Sequence, residues 1–109
     1  MTVFILIPKF RNLDSLLLNF TIANPLTIIE LNYSANQIPN LNVNQFLNLE
    51  NLTCAGNQIQ NLNLNNLTSL QFLECSNNQL ITLNVSNSLN LSYLDCSNNQ
   101  LTNLDLTTN

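Results

Sequence analysis

Three cysteines, Cys54, Cys75 and Cys96, recur at an interval of 21 residues. Thiolates attack electrophiles, exchange disulfides and bind soft metals, so these residues are the first candidates for chemistry. Their spacing argues against each use. Cysteines on stacked parallel strands stand about 4.8 Å apart, beyond the ~3.8 Å between Cβ atoms of a disulfide. A structural metal site wants four ligands, commonly in paired C-x-x-C groups, and that pattern is missing. The other reactive pair is Glu74 and Asp95, also separated by 21 residues. A carboxylate dyad becomes an acid and a base only where a cleft raises one pKa, and two carboxylates alone hold a hard cation poorly. The chain has no histidine, and Gly56 is its single glycine, so neither an imidazole base nor a Gly-rich phosphate loop can be built. No catalytic residue, metal or cofactor is expected.

What must position these residues is a repeat. Asn36, Asn57, Asn78 and Asn99 keep the same interval of 21, inside the phrases LNYSANQI, LTCAGNQI, LECSNNQL and LDCSNNQL. A fixed period of this length marks a stack of identical structural units. The units run 28–48, 49–69, 70–90 and 91–109. Apolar columns follow the period: Ile28, Leu49, Leu70 and Leu91; Leu31, Leu52, Leu73 and Leu94; Ile38, Ile59, Leu80 and Leu101; Leu41, Leu62, Leu83 and Leu104; Val43, Leu64, Val85 and Leu106. Around Leu73-Glu74-Cys75 inward and outward residues alternate, which is the period of a short strand. The alternation returns near Leu83-Asn84-Val85-Ser86, so each coil has either turns or a second extended edge there. The cysteines, with Tyr33 in the first unit, fill one more inward slot. The asparagines have a structural task available, because an inward amide can satisfy backbone groups where the chain bends away from the strand.

Residues 1–27 carry the pattern incompletely. The same offset brings Ile28 to Ile7 and Leu31 to Phe10, but the asparagine slot becomes Ser15 and an apolar slot becomes Pro25. This segment is expected to be a degenerate amino-terminal capping repeat. Leu101, Leu104 and Leu106 are still in phase near Asn109, so that end reads as truncated and as a place for end-to-end association.

Composition sets limits on partners. The formal net charge is -4, and Lys9 and Arg11 are the only cations, so a basic groove for nucleic acid cannot form. Charged residues make up 7% of the chain, and asparagine about a fifth of it. Leucine and isoleucine in phase with the asparagines supply the apolar surface that a disordered chain lacks. No stretch reaches the ~20 apolar residues of a membrane-spanning helix. The opening MTVFILIPKF lacks the basic flank and length of a secretory signal. Export would therefore need a signal on a longer precursor, and otherwise the chain stays in the cytoplasm.

Outward positions of the first strand are where a partner should be sought. They form rows of Glu30, Asn51, Phe72 and Tyr93, then Asn32, Thr53, Glu74 and Asp95, then Ser34, Ala55, Ser76 and Ser97. Phe72 beside Tyr93 is an exposed aromatic pair, and aromatics on a rigid surface are typical binding anchors. The competing reading is that each side chain is simply tolerated at an exposed site. Glu74 beside Asp95 places like charges on adjacent rungs, which costs stability. The second edge is plainer, with rows of Asn42, Asn63, Asn84 and Asp105 and of Asn40, Asn61, Thr82 and Asn103. Such a regular amide surface could serve as a lattice for glycan or ice, or be no more than a solvated face.

The pattern L-x-x-L-x-(C/Y/L)-x-x-N-x-(L/I), quoted four times over about residues 28–109 with Ile28 opening the first copy, resembles the leucine-rich-repeat superfamily. The short unit with cysteine in the sixth slot is similar to compact repeats of bacterial surface proteins. The resemblance implies a leucine-rich-repeat solenoid: a right-handed coil with a short parallel β-sheet on one face, turns or a second extended edge on the other, and little helix. It also implies a non-enzymatic protein-protein interaction module that binds through the strand-lined face, here Phe72, Tyr93, Glu74, Asp95, Thr53 and Asn51. A lattice binder, or the targeting arm of a longer enzyme or effector, is the alternative.

Overall fold

The computed structural model describes residues 26 and 28–109, together with the backbone of Val3–Leu6. Five strands form one sheet in chain order: β1 (Val3–Leu6), β2 (Ile28–Asn32), β3 (Asn51–Thr53), β4 (Phe72–Glu74) and β5 (Tyr93–Asp95). All neighbours are parallel. From β2 onward each strand returns beside its predecessor after one coil, so this part of the sheet forms by stacking and not by hairpins.

The register follows the repeat from β2 onward. Leu31, Leu52, Leu73 and Leu94 are partners in sequence across the ladder. The first three of these leucines are fully buried, as is Tyr33 in the slot that Cys54 and Cys75 take in the next two coils. At β1 the register departs from expectation, because Ile5, not Phe10, faces Leu31, with an irregularity between Val3 and Phe4. A parallel pair can form wherever an extended apolar segment meets the exposed edge of β2, and VFIL has the β-branched and aromatic residues for it. The rest of the expected cap, including Ile7, Ser15 and Pro25, lies outside the described residues.

The second half of each coil contains no strand among the described residues; it is built of bends and turns. Asn42, Asn63, Asn84 and Asp105 each accept, through Oδ1, a hydrogen bond from the backbone N–H two residues on. This local bond competes with a ladder and favours a turn. Two consecutive turns follow, in which Phe46 N–H donates to Val43 and Leu49 N–H to Phe46, repeated at Leu67 and at Ser88. Their shared residue points inward and forms a core column that the sequence pattern concealed: Phe46, Leu67 and Ser88, all fully buried. Ser88 breaks the apolar run and is satisfied by donating to the Leu67 carbonyl at 3.2 Å.

The coils are tied by the asparagines. The Asn78 amide nitrogen donates to Cys75 O in its own coil at 3.1 Å and to Cys54 O in the preceding coil at 3.0 Å. Its Oδ1 accepts from Ile59 N–H of that preceding coil at 3.0 Å. Asn57 repeats the set with Cys54 O, Tyr33 O and Ile38 N–H, and Asn99 with Cys96 O, Cys75 O and Leu80 N–H. The residue just before each asparagine or its equivalent adopts a left-handed backbone: Ala35 at φ 57°, Gly56 at 67°, Asn77 at 54° and Asn98 at 53°. Glycine and asparagine tolerate this region, whereas alanine pays about 1–2 kcal/mol there.

Two stability changes are expected. Asn78→Ala should lower the unfolding free energy by at least about 2 kcal/mol, because it orphans buried backbone groups in two coils. Ala35→Gly should raise it by roughly 1 kcal/mol, with glycine's greater unfolded-state freedom offsetting part of the relieved strain. Urea unfolding followed by circular dichroism checks both.

Candidate functional site

The sheet brings the expected face together in rows. Glu30 is opposite Asn51, Asn51 opposite Phe72 and Phe72 opposite Tyr93. Two residues along, Asn32, Thr53, Glu74 and Asp95 form the parallel row. Asn51, Thr53, Phe72 and Glu74 are half-buried, and so is Asp95 by overall accessible area. Tyr93 is the most open of them, with 45% of its surface exposed.

In-register pairing at adjacent strands lets the aromatic rings stack. The Phe72 and Tyr93 ring centroids are 4.3 Å apart, with planes 4° from parallel. One face of the Tyr93 ring is therefore covered by Phe72. The spacing of adjacent strands holds the two rings at this separation.

The carboxylates have partners that sequence spacing alone did not assign. Ser76 Oγ donates to Glu74 Oε1 at 2.6 Å, and Ser97 N–H donates to Asp95 Oδ1 at 3.0 Å. Hydrogen bonds from the Ser97 side chain and backbone hold the Asp95 carboxyl below the usual range. Both serines belong to the third row, expected to face outward. Ser97 is exposed, but Ser76 is covered, at 5% exposure, because its hydroxyl folds onto Glu74 and also accepts from Asn77 Nδ2. The S at position i+2 from an acid was a readable signal for this local bond.

Beneath the face lies the cysteine column. Cys54 and Cys75 are buried, Cys96 is half-buried, and all three are free thiols. Burial, reinforced by the neighbouring Cys96 thiol and by Asp95 and Glu74, pushes Cys75 up to about 12. Burial also raises Cys54 well above the ordinary thiol value, and Cys96 above it. Neutral thiols of this kind pack as small apolar groups and are poor nucleophiles. Among the described residues, no group of three or more His, Cys, Asp or Glu side chains is placed to hold a metal ion. No described helix is long and apolar enough to cross a membrane. In the last coil Cys96, Leu101 and Leu104 are partly buried and pack against the core of the preceding coils.

Solved structures with the same coil identify the architecture. The functional domain of InlJ from Listeria monocytogenes, described as including a cysteine ladder, is 41% identical, with a TM-score of 0.75 over 76% of this chain and 18% of that one. The chain belongs to the leucine-rich-repeat superfamily. A leucine-rich-repeat protein of Leptospira interrogans is 29% identical, with a TM-score of 0.73 over 86% of this chain and 24% of that one. An internalin from Listeria monocytogenes, InlF, is 25% identical, with a TM-score of 0.51 over 76% of this chain and 32% of that one. The chain thus spans less than a third of the length of each of these structures. No family model matches it, and no curated protein does. The stacked thiols of this leucine-rich repeat, Cys54, Cys75 and Cys96, are similar to the ladder described for InlJ.

Thiol burial leads to two expected outcomes. In native buffer a thiol reagent should modify Cys96 first, and Cys54 and Cys75 only as fast as the protein opens, as peptide mapping after timed quenching would show. Because folding raises these pKa values, their stabilising contribution is complete below the usual thiol value of 9.0. Above it the unfolded chain ionises while the folded one does not, so stability should fall steadily toward pH 12. Urea midpoints measured across that window, against a triple Cys→Ala variant, check the slope.

Proposed function

We propose that this leucine-rich repeat is a non-enzymatic recognition module that binds a protein partner through its strand-lined face. Phe72, Tyr93, Glu74 and Asp95 form the centre of that face, and Asn51 and Thr53 flank it on the preceding rung. Similarity to internalin-type repeats supports a protein-interaction module in general. The observation that carries the finer reading is the Phe72–Tyr93 stack, two large rings held parallel at 4.3 Å on an open surface. Such a pair is preorganised: little side-chain entropy remains to be lost when a partner covers it. The apolar core does not need it, since Leu73 beneath is already fully buried.

The Asn-rich edge has less to offer a ligand. The Oδ1 atoms of Asn42, Asn63 and Asn84 are engaged in the turns of their own coils, which gives this row a structural task. Catalysis finds no footing on the strand face, where the carboxylates are tied to serines and lie on an open sheet, not in a cleft.

Panning a random peptide display library on the immobilised protein tests this reading. Enriched clones should lose affinity by about tenfold or more on the Phe72→Ala/Tyr93→Ala variant and keep it on Asn63→Ala/Asn84→Ala. The aromatic variant should still unfold within roughly 1 kcal/mol of wild type, the scale of one cross-strand pair. Clones indifferent to Phe72 and Tyr93 would sink the proposal, and clones dependent on Asn63 and Asn84 would move the binding surface to the opposite edge.

A further inference from the structure

The third coil carries a chain of side-chain hydrogen bonds that the second coil does without. Asn98 Nδ2 donates to Asn77 Oδ1 at 3.1 Å, Asn77 Nδ2 to Ser76 Oγ at 3.2 Å, and Ser76 Oγ to Glu74 Oε1 at 2.6 Å. All three bonds point the same way, from the exposed turns of two adjacent coils toward the strand face. Bonds aligned in this manner polarise and strengthen one another. In the second coil each of these residues is replaced: Thr53 stands for Glu74, Ala55 for Ser76 and Gly56 for Asn77. The backbone is nevertheless the same. Gly56 N–H donates to Ser76 O as Asn77 N–H does to Ser97 O, and both residues are left-handed, at φ 67° and 54°. Asn57 also makes the bonds between coils that Asn78 makes. A positive φ accounts for asparagine at position 77 in place of glycine, but not for the attachment of its amide to Ser76. The fold stands without the chain, and what the chain fixes is Glu74.

We propose that Ser76, Asn77 and Asn98 are positioning residues for the strand-face site: they hold the Glu74 carboxylate in one orientation, ready for a hydrogen-bond donor of the partner. The inference rests on the strand-face reading above and adds the residues that prepare one of its contacts. A glutamate on a strand face is long and free to rotate, and repulsion from Asp95 across the ladder favours rotamers that turn it away from its row. Ser76 opposes this. It is covered, at 5% exposure, and Asn77 anchors its hydroxyl from the other side. Asn77 is itself exposed, and the amide of Asn98 in the next coil limits its rotation. With Oε1 engaged by Ser76, Oε2 is the atom that meets the partner. A carboxylate only accepts, so the partner group there is an N–H or an O–H. Ordering the side chain before contact spares entropy that binding would otherwise cost.

Two measurements on the whole chain test this. The first needs no ligand: side-chain scalar couplings measured by NMR should show a single Glu74 rotamer in the wild type, and averaging over several in Ser76→Ala and in Asn77→Gly. Glycine keeps the left-handed backbone of position 77, as Gly56 does in the coil before, so this variant separates the amide from the fold. The second measurement titrates synthetic peptides copied from display clones that require Phe72 and Tyr93, read by fluorescence anisotropy. Asn77→Gly and Glu74→Ala should each weaken these peptides by about three- to tenfold. The double variant should bind no worse than Glu74→Ala alone, because a positioning residue acts only through the contact it positions. Asn98→Gly should give a smaller loss of the same kind. Several Glu74 rotamers in the wild type, or a single one that persists in Asn77→Gly, overturns the inference. Losses that multiply in the double variant overturn it too. Peptides that need the aromatic pair but ignore Glu74→Ala remove this inference alone, whereas clones that ignore the aromatic pair remove the strand-face reading itself.

Discussion

One asparagine side chain per coil does what no apolar contact could: it fixes where each coil sits on the one before. Leucines stacked on leucines would tolerate a slip, because the hydrophobic effect is non-directional. The Asn78 amide does not, since it donates to a carbonyl of its own coil and to one of the preceding coil while accepting from that coil's backbone. Buried at 8% exposure, it would be costly unpaired, and only one vertical register pairs it. The requirement is met again at Asn57 and Asn99 with the same geometry.

That constraint propagates outward to the surface. Once the register is fixed, position 72 must face position 93 and position 74 must face position 95, whatever residues stand there. Aromatic rings in the first pair gain a stack, and carboxylates in the second are forced into proximity. The like-charge cost is borne by a scaffold whose stability comes from the core beneath, and the serines two residues on give each carboxylate a donor. The same tight stacking keeps Cys54 and Cys75 neutral and inert, so the reactive groups of the chain become filling.

What could be read in the sequence, and what could not, follows from how each feature repeats. The strand columns and the asparagine and cysteine slots repeat without exception from Asn36 onward, and the strand rows came out in the expected register. The column of Phe46, Leu67 and Ser88 was missed because its types change from coil to coil; burial there is set by two consecutive turns, which impose a direction on any side chain. Leu83-Asn84-Val85-Ser86 has the alternation of a strand, yet Asn84 Oδ1 captures the Ser86 N–H and the segment turns instead. Ser76 was expected to face outward, but it is covered because its hydroxyl has a carboxylate within reach.

By itself the sequence determined the period, the solenoid, the residues that share a column and the acidic, cation-poor character of the repeats. Those properties are local or additive: they depend on residue types at fixed intervals and on summed charge. Only the tertiary structure decided that β1 pairs through Ile5, that Phe72 and Tyr93 lie parallel at 4.3 Å, and that Glu74 and Asp95 are held by serines. Those outcomes depend on side-chain direction and on contacts between coils. Neither exists until one coil has settled on the next, and that is the moment at which a row of letters becomes a surface.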